Sequence, residues 1–222
     1  AVNGIFATNI DGVGALSITG GYFVGASDAS ACIYATNSNG VAVTGGAPTV
    51  AQLKTINQAS TGAITLSTHD GGLGGSAADL AIALAGTINH SGTVTISDAP
   101  TVAQLKTINN GTSGDIVLST ANGALSGSAA DLVLAFAGTV TEHTGDVTIS
   151  DAPTVAQLKT INAATTGDIT LTTANGALSG SAADLVLAFA GTVTEHTGTV
   201  TISDAPTVAQ LKTINAATTG AI

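Results

Sequence analysis

Positively charged side chains are scarce in this sequence. Its 222 residues include 4 Lys and Arg against 14 Asp and Glu, which gives a formal net charge of −10 at pH 7. A chain with so few cations cannot neutralise a phosphate backbone, and this argues against nucleic acid as a partner. Anionic lipid headgroups should repel it for the same reason.

Cysteine, aromatic residues and long apolar runs are also rare. Because Cys32 is the only cysteine, an internal disulfide framework is excluded, and we expect this side chain to be a small buried hydrophobe. The longest strongly apolar run, Leu185–Ala190, is far shorter than the ~20 residues of a membrane helix, so no membrane insertion is expected. The 44% of hydrophobic residues nevertheless predicts a folded chain.

Repetition is what the sequence has in abundance. The string APTVAQLKTIN occurs four times, in copies that start near residues 47, 99, 152 and 205, and GSAADL occurs three times. Self-similarity at a fixed period predicts a stack of similar structural units. We therefore divide the chain into a tandem-repeat region, residues 47–222, and a distinct segment, residues 1–46.

Each repeat of about 53 residues contains two segments with the alternation of a half-buried strand. Val147 and Ile149 enclose a threonine, and Ile169 and Leu171 do the same later in the repeat. Each strand is followed by a helical stripe of apolar residues, which is Val155, Leu158 and Ile161 in one case and Val186, Phe189 and Val193 in the other. For the N-caps of these two helices we predict Asp151, with Pro153 in the first turn, and Ser181.

This order predicts an α/β solenoid with two strand–helix rungs in each repeat, parallel strands and right-handed crossovers. Only one face of such a sheet is covered by helices, which explains why the strands alternate. The alternative is a β-solenoid in which TVTEHTGTVTIS forms hairpins and only APTVAQLKTIN is helical.

The two ends of the chain are candidates for assembly. Residues 1–46 predict a β-rich cap or assembly module, with Phe6, Tyr22 and Phe23 as candidate interface residues. The sequence begins at Ala1 without a signal-peptide pattern, which we interpret as a removed leader or a piece of a longer chain. Ala221 and Ile222 fall inside a predicted strand, whose open edge would pair with another copy of the chain.

Candidate chemistry is sparse. Three histidines recur at the repeat period, and since this places them on successive repeats we predict solvated turn residues and no metal site: His90, His143 and His196. The segment HDGGLGGSAADL from His69 lacks the aspartate of calcium-binding nonapeptides, although loose calcium binding by aspartates stays open. We expect no cofactor.

Catalysis is not expected either. The periodic acids are interpreted as helix caps (Asp98, Asp151 and Asp204) and first-turn acids (Asp79, Asp131 and Asp184). No Ser-His-Asp arrangement, P-loop or pair of convergent carboxylates is evident, so the sequence does not predict an enzyme.

The outward positions of the predicted strands form a row of threonines. Such a row is typical of ice-binding or glycan-binding solenoids, although threonine is also simply favoured on strands. We define the outward threonine row as Thr65, Thr95, Thr148, Thr170 and Thr201, with Val117 at the equivalent place in one strand.

The segments VTISDAPTVAQLKTINAATTG and LSGSAADLVLAFAG carry a resemblance. They are similar to the tandem repeats of very large secreted bacterial surface proteins, cyanobacterial ones among them, and the likeness extends from Ala47 to Ile222. It implies export, an extracellular or cell-surface location, and a role as a fibre, coat or adhesive stalk. We therefore expect a structural filament protomer or segment that binds other copies of itself, with an adhesin that binds ice or a surface glycan as the alternative.

Overall fold

Short strands alternate with helices along the chain. The computed structural model describes residues 40–43 and 46–222, together with the backbone of residues 16–18. The strands are β1 (Leu16–Ile18), β2 (Val41–Val43), β3 (Ile64–Leu66), β4 (Leu73–Gly75), β5 (Val94–Ile96), β6 (Ile116–Leu118), β7 (Leu125–Gly127), β8 (Val147–Ile149), β9 (Ile169–Leu171), β10 (Leu178–Gly180) and β11 (Val200–Ile202). The helices are α1 (Val50–Ala59), α2 (Ala77–Ala83), α3 (Val102–Gly111), α4 (Ala129–Ala135), α5 (Val155–Ala164), α6 (Ala182–Ala188) and α7 (Val208–Ala217).

The strands form small sheets in the orders β1-β2-β3, β4-β5-β6, β7-β8-β9 and β10-β11. The described pairs with an assigned register are parallel, so the predicted direction of the strands is confirmed. The chain divides into two compact units, residues 1–97 with 107–117 and residues 98–106 with 118–222. An arrangement of alternating strands and helices with parallel pairing is therefore present in each unit.

The inward face of the predicted strands is confirmed. In the sheet β7-β8-β9, Val147 pairs in register with Leu125 on one side and Ile169 on the other. All three side chains are buried, while Thr148 between Val147 and Ile149 is only half-buried. Since strand side chains alternate between faces, this register keeps one apolar row under the helices and one polar row outside.

A third strand in each repeat was not predicted. It is β4, β7 and β10 in successive copies, and in β10 only Leu178 is buried, whereas Ser179 is exposed. Gly180 ends this strand where a Cβ would lie 3.2 Å from a methyl carbon of Val155. The glycine thus lets helix α5 approach the strand closely, and the prediction of two strands in each repeat is wrong.

The longer helices follow the predicted apolar stripe but begin later than expected. Val155, Leu158 and Ile161 are buried in α5, as predicted. The N-cap is Thr154, whose hydroxyl accepts from the Gln157 N–H while the Gln157 side chain accepts from the Thr154 N–H. This reciprocal capping box satisfies the first turn, so the assignment of Asp151 as the cap of its own helix is wrong.

Asp151 caps a different helix. Its carboxylate accepts a 2.7 Å hydrogen bond from the N–H of Ala129, the first residue of α4. Asp204 makes the same contact, at 2.8 Å, with Ala182 at the start of α6. A carboxylate near a helix N-terminus is stabilised by the helix dipole, and here it comes from the following turn of the chain. Asp151 and Asp204, which were predicted to cap the helices that follow them, therefore bond the starts of the preceding helices α4 and α6.

The shorter helices are confirmed, with a different buried face. Ser181 is the N-cap of α6, as predicted, and Phe189 is buried. The buried stripe consists of Ala182, Leu185 and Ala188, and the proposed stripe members Val186 and Val193 are only half-buried.

Because α2, α4 and α6 are helices and the strands around them pair in parallel, the β-solenoid alternative with hairpins is wrong for the described residues. None of the helices described has the length and apolar character needed to cross a membrane.

Candidate functional site

The recurring histidines are buried, contrary to the prediction of solvated turn residues. His143 is 2% exposed, and its Nε2 lies 2.7 Å from the carbonyl oxygen of Gly123. A carbonyl only accepts, so Nε2 carries a proton and donates to it. Nδ1 lies 3.2 Å from the hydroxyl of Thr165, and the ring of Phe136 covers the imidazole at 5.7 Å.

The same two hydrogen bonds recur at the other two histidines, and the ring of Phe189 contacts His196 as Phe136 contacts His143. His196 Nε2 bonds the Gly176 carbonyl at 2.6 Å and His90 Nε2 bonds the Gly71 carbonyl at 2.9 Å. Both ring nitrogens of each histidine are thus engaged with the neighbouring turn of the chain. Among residues 40–43 and 46–222, no three His, Cys, Asp or Glu side chains come together as a metal site would require.

An ion pair that the sequence did not predict joins each of the helices α1, α3 and α5 to the shorter helix that follows it. Lys159 Nζ lies 2.6 Å from Asp184, and the equivalent pairs Lys54–Asp79 and Lys106–Asp131 lie at 2.5 Å. The Asp184 carboxylate also receives a hydrogen bond from the Ser181 hydroxyl. The lysine hydrogen bond first, and the serine hydroxyl second, hold the pKa of Asp184 below its ordinary value of 3.8.

These three ion pairs predict a loss of stability in acid. The pKa of each aspartate is lower in the folded chain than in the unfolded chain, so the unfolded state binds more protons as the pH falls. The contribution of the three ion pairs to the free energy of unfolding is therefore complete above the ordinary pKa of aspartate. It is lost as the pH drops through the lowered pKa that these aspartates have in the folded chain. Urea midpoints measured from about pH 6 to pH 2 should fall less steeply for a triple Asp→Asn variant at positions 79, 131 and 184.

A matched control neutralises three exposed carboxylates outside these pairs, which are Asp70, Asp115 and Asp168. The urea midpoint of this control should fall with decreasing pH about as steeply as that of the unaltered chain. Equal flattening by both triple variants would show that net charge, rather than the lysine contacts, sets the acid sensitivity.

Asparagines at the other end of the longer helices hold the ends of the shorter ones. The side-chain amide of Asn162 donates to the carbonyls of Leu187, at 3.0 Å, and Ala188, at 3.3 Å, and also to that of Ala190. Asn57 bonds the corresponding carbonyls at the end of α2. The last carbonyls of a helix have no N–H partner within the helix, and these side-chain amides supply the missing hydrogen-bond donors. We call the Lys159–Asp184 pair together with the Asn162 contacts, and their equivalents in α1 and α2, the helix clamp.

The members of the outward threonine row lie at the middle positions of β3, β5, β8, β9 and β11. Thr65, Thr170 and Thr201 are exposed, while Thr95 and Thr148 are half-buried. In the sheet β7-β8-β9, Ser126, Thr148 and Thr170 lie side by side in register. Strand spacing places neighbours in this row about 4.8 Å apart, so it offers a regular row of hydroxyl groups.

Carboxylates border this row. Asp146 and Asp168 precede β8 and β9, and both are exposed. The N–H of Asp168 donates to the Asp146 carboxylate at 3.3 Å. In the sheet β7-β8-β9 the row is therefore polar and is bordered by negative charge at one side, whereas Val117 interrupts it in β6.

The predicted assembly residues are only partly described. The carbonyl of Ala221 accepts a 2.8 Å hydrogen bond from the Val200 N–H, and Ile222 is 48% exposed. Phe6, Tyr22 and Phe23 lie outside the described residues, as does Cys32, and their roles stay predictions.

Comparison of the chain with protein-family models, with curated proteins and with solved structures finds no match. Any functional conclusion therefore comes from the contacts of this chain.

Proposed function

We propose that the chain is a structural tandem-repeat protein, an α/β solenoid of about 53-residue repeats that serves as a protomer or segment of an extracellular filament. One observation carries the proposal: the side chains best suited to chemistry are engaged in joining one turn of the chain to the next. The histidines bond glycine carbonyls, the lysines bond aspartates, and Asp151 and Asp204 cap neighbouring helices.

Repeated nearest-neighbour contacts suit a load-bearing role. In a solenoid each repeat is stabilised mainly by its neighbours, so adding repeats lengthens the body without requiring a new core. The absence of a cysteine pair and the net charge of −10 are compatible with a soluble surface fibre. Copies would join at sheet edges, where Ala221 and Ile222 are the candidate residues, together with the segment 1–46.

Electron microscopy of the purified chain in dilute buffer tests this proposal. Uniform filaments are the expected result, and Ile222→Lys should shorten or abolish them because a charge would enter the sheet edge. Thr219→Lys, at an exposed position three residues earlier, is the matched control and should assemble normally. Discrete particles for the unaltered chain at all concentrations would contradict the filament role.

The in-register hydroxyl row supports a second candidate function, an adhesin that binds ice or a surface glycan. Thr148→Lys with Thr201→Lys should abolish retention of the chain on cellulose, chitin or ice. Ala156→Lys, at an exposed position of helix α5, is the control and should leave any retention unchanged. Equal retention of the unaltered chain, the double threonine variant and the Ala156→Lys control would show that the outward threonine row is not the binding surface.

A further inference from the structure

We infer that the dipeptides Asn122–Gly123 and Asn175–Gly176 are modification sites, at which each asparagine deamidates without an enzyme and ends as aspartate. We call them the turn dipeptides. Each event adds one negative charge to a chain whose formal net charge is already −10. The inference rests on the contacts of single turns and does not depend on the filament role.

The reaction needs only the chain and water. The backbone nitrogen of the glycine attacks the side-chain amide carbon of the asparagine and forms a cyclic imide. The bond from that carbon to Nδ2 breaks, and ammonia leaves with the proton of the glycine N–H. Water then opens the imide. Opening at the side-chain carbon gives aspartate, and opening at the backbone carbonyl carbon gives isoaspartate, whose main chain is longer by a methylene group.

The turn dipeptides combine an exposed asparagine with a weakly restrained glycine. Asn122 and Asn175 are exposed, in the turns between β6 and β7 and between β9 and β10. The N–H of Gly176 donates to the carbonyl of Thr173 at 3.4 Å, which is long for such a hydrogen bond. The attacking nitrogen therefore gives up little when it turns towards the asparagine side chain.

Packing explains why a glycine follows each of these asparagines. A Cβ at Gly176 would lie 2.7 Å from the Cβ of Ala152, and a Cβ at Gly123 would lie 2.6 Å from the Cβ of Ala99. A larger residue does not fit at either position. The fold therefore requires glycine there, and glycine is also the neighbour whose nitrogen is least hindered for the attack.

Two other asparagines of the described chain are protected. Asn110 also precedes a glycine, but Gly111 is buried and is the last residue of helix α3. A helical N–H is directed at the carbonyl one turn earlier, away from the asparagine side chain. The side-chain amide of Asn162 is held by the backbone carbonyls at the end of α6. The turn, rather than the sequence Asn-Gly alone, makes the site reactive.

The surroundings of the turn favour aspartate over isoaspartate. The backbone carbonyl of Asn175 lies against Gly198, where a Cβ would be 2.5 Å from its oxygen and 2.7 Å from its carbon. The Ala174 carbonyl accepts a backbone hydrogen bond at 2.9 Å, and the Gly176 carbonyl accepts one from His196. Water therefore reaches the side-chain carbon more readily, and the fixed carbonyls on either side leave no room for a longer main chain.

The first copy of the repeat already carries the product. Asp70–Gly71 stands where the later copies have the turn dipeptides, and Asp70 is exposed. His90 Nε2 bonds the Gly71 carbonyl at 2.9 Å, as His196 bonds that of Gly176. An aspartate is therefore compatible with this turn and with the buried histidine beside it.

Peptide mapping by mass spectrometry, after incubation of the full chain at mildly alkaline pH, tests the inference. Conversion at Asn122 and Asn175 should be at least tenfold faster than at Asn110 and Asn162, with aspartate as the main product. The matched control is the same chain unfolded in urea. There Asn110 should react as fast as Asn122, and isoaspartate should dominate because the backbone carbonyl carbon is no longer shielded.

Two double variants complete the test. Asn122→Gln with Asn175→Gln should remove the charge change, because glutamine would have to close a larger ring. Asn122→Asp with Asn175→Asp represents the completed product and should keep the urea midpoint of the unaltered chain. Equal rates at Asn110 and the turn dipeptides of the folded chain, isoaspartate as its main product, or a lowered urea midpoint of the aspartate variant would each overturn the inference.

Discussion

Gly145→Ala is expected to destabilise the protein by about 3 kcal/mol, the upper part of the range for forced overpacking. A Cβ at this position would lie 2.6 Å from the carbonyl oxygen of Asn122 and 2.8 Å from that of Gly123. Both obstacles are backbone atoms, so no side-chain rotation relieves the clash. Gly92 and Gly198 stand at the equivalent positions and face backbone carbonyls in the same way.

Urea denaturation followed by circular dichroism measures this effect, with Gly74→Ser as the matched control. Gly74 is exposed at the middle of β4, its Cβ would lie 4.0 Å from the nearest atom, and Ser126 and Ser179 occupy its place in later copies. The control should change the free energy of unfolding by less than about 0.5 kcal/mol. A tolerated alanine at position 145 would show that the turns of the chain are less closely spaced than described.

Leu185→Ala is expected to cost about 3 kcal/mol, within the range of 2–5 for a buried leucine. Leu185 is fully buried in α6, while Leu187, two residues later on the same helix, is 52% exposed. Truncation at 185 removes apolar contacts and leaves a cavity. Truncation at 187 removes little contact and introduces a better helix former, so Leu187→Ala should change stability by less than about 0.5 kcal/mol.

The pair of variants isolates burial, since both make the same chemical change in one helix of seven residues. Thermal and urea unfolding should rank them identically. If Leu187→Ala were as damaging as Leu185→Ala, the side of α6 that faces the core would be misassigned.

Periodic segments were predictable from the sequence wherever several apolar residues mark one face. Val147 and Ile149 reveal the strand β8, and Val155, Leu158 and Ile161 reveal α5, because two or three residues on one face define a period. The strand β10 has one apolar residue, Leu178, between an alanine and a serine. A single residue has no period, so the third strand of each repeat could not be recognised this way.

Caps were harder to assign because two suitable residues, an aspartate and a threonine, precede each of the helices α3, α5 and α7. Asp151 and Thr154 both accept hydrogen bonds from backbone N–H groups. The pattern Thr154-x-x-Gln157 signals a capping box and was present in the sequence. Only the fold shows that Asp151 faces the start of α4, since that contact joins residues 22 positions apart.

The histidines and the helix clamp depend on neighbours that a sequence does not place. His143 is buried against the Gly123 carbonyl and the Thr165 hydroxyl, which are 20 and 22 residues away in the sequence. Lys159 and Asp184 are 25 residues apart and meet only once α5 and α6 are packed. The outward threonine row, by contrast, follows from strand alternation alone, because the threonines lie between two apolar residues of the same strand.

The contacts that cross between elements have a consequence for the kinetics of folding. The bonds that join Asp151, His143 and Lys159 to their partners link residues 20 to 25 positions apart. These separations are about a tenth of the 222-residue chain, and contacts that close short loops form at a lower entropic cost than distant ones. Parallel strands normally pair slowly because their partners are distant, but here each strand finds its partner one turn away. We therefore expect that two adjacent turns within one unit are able to serve as a folding nucleus, from which folding spreads to the turns beside them.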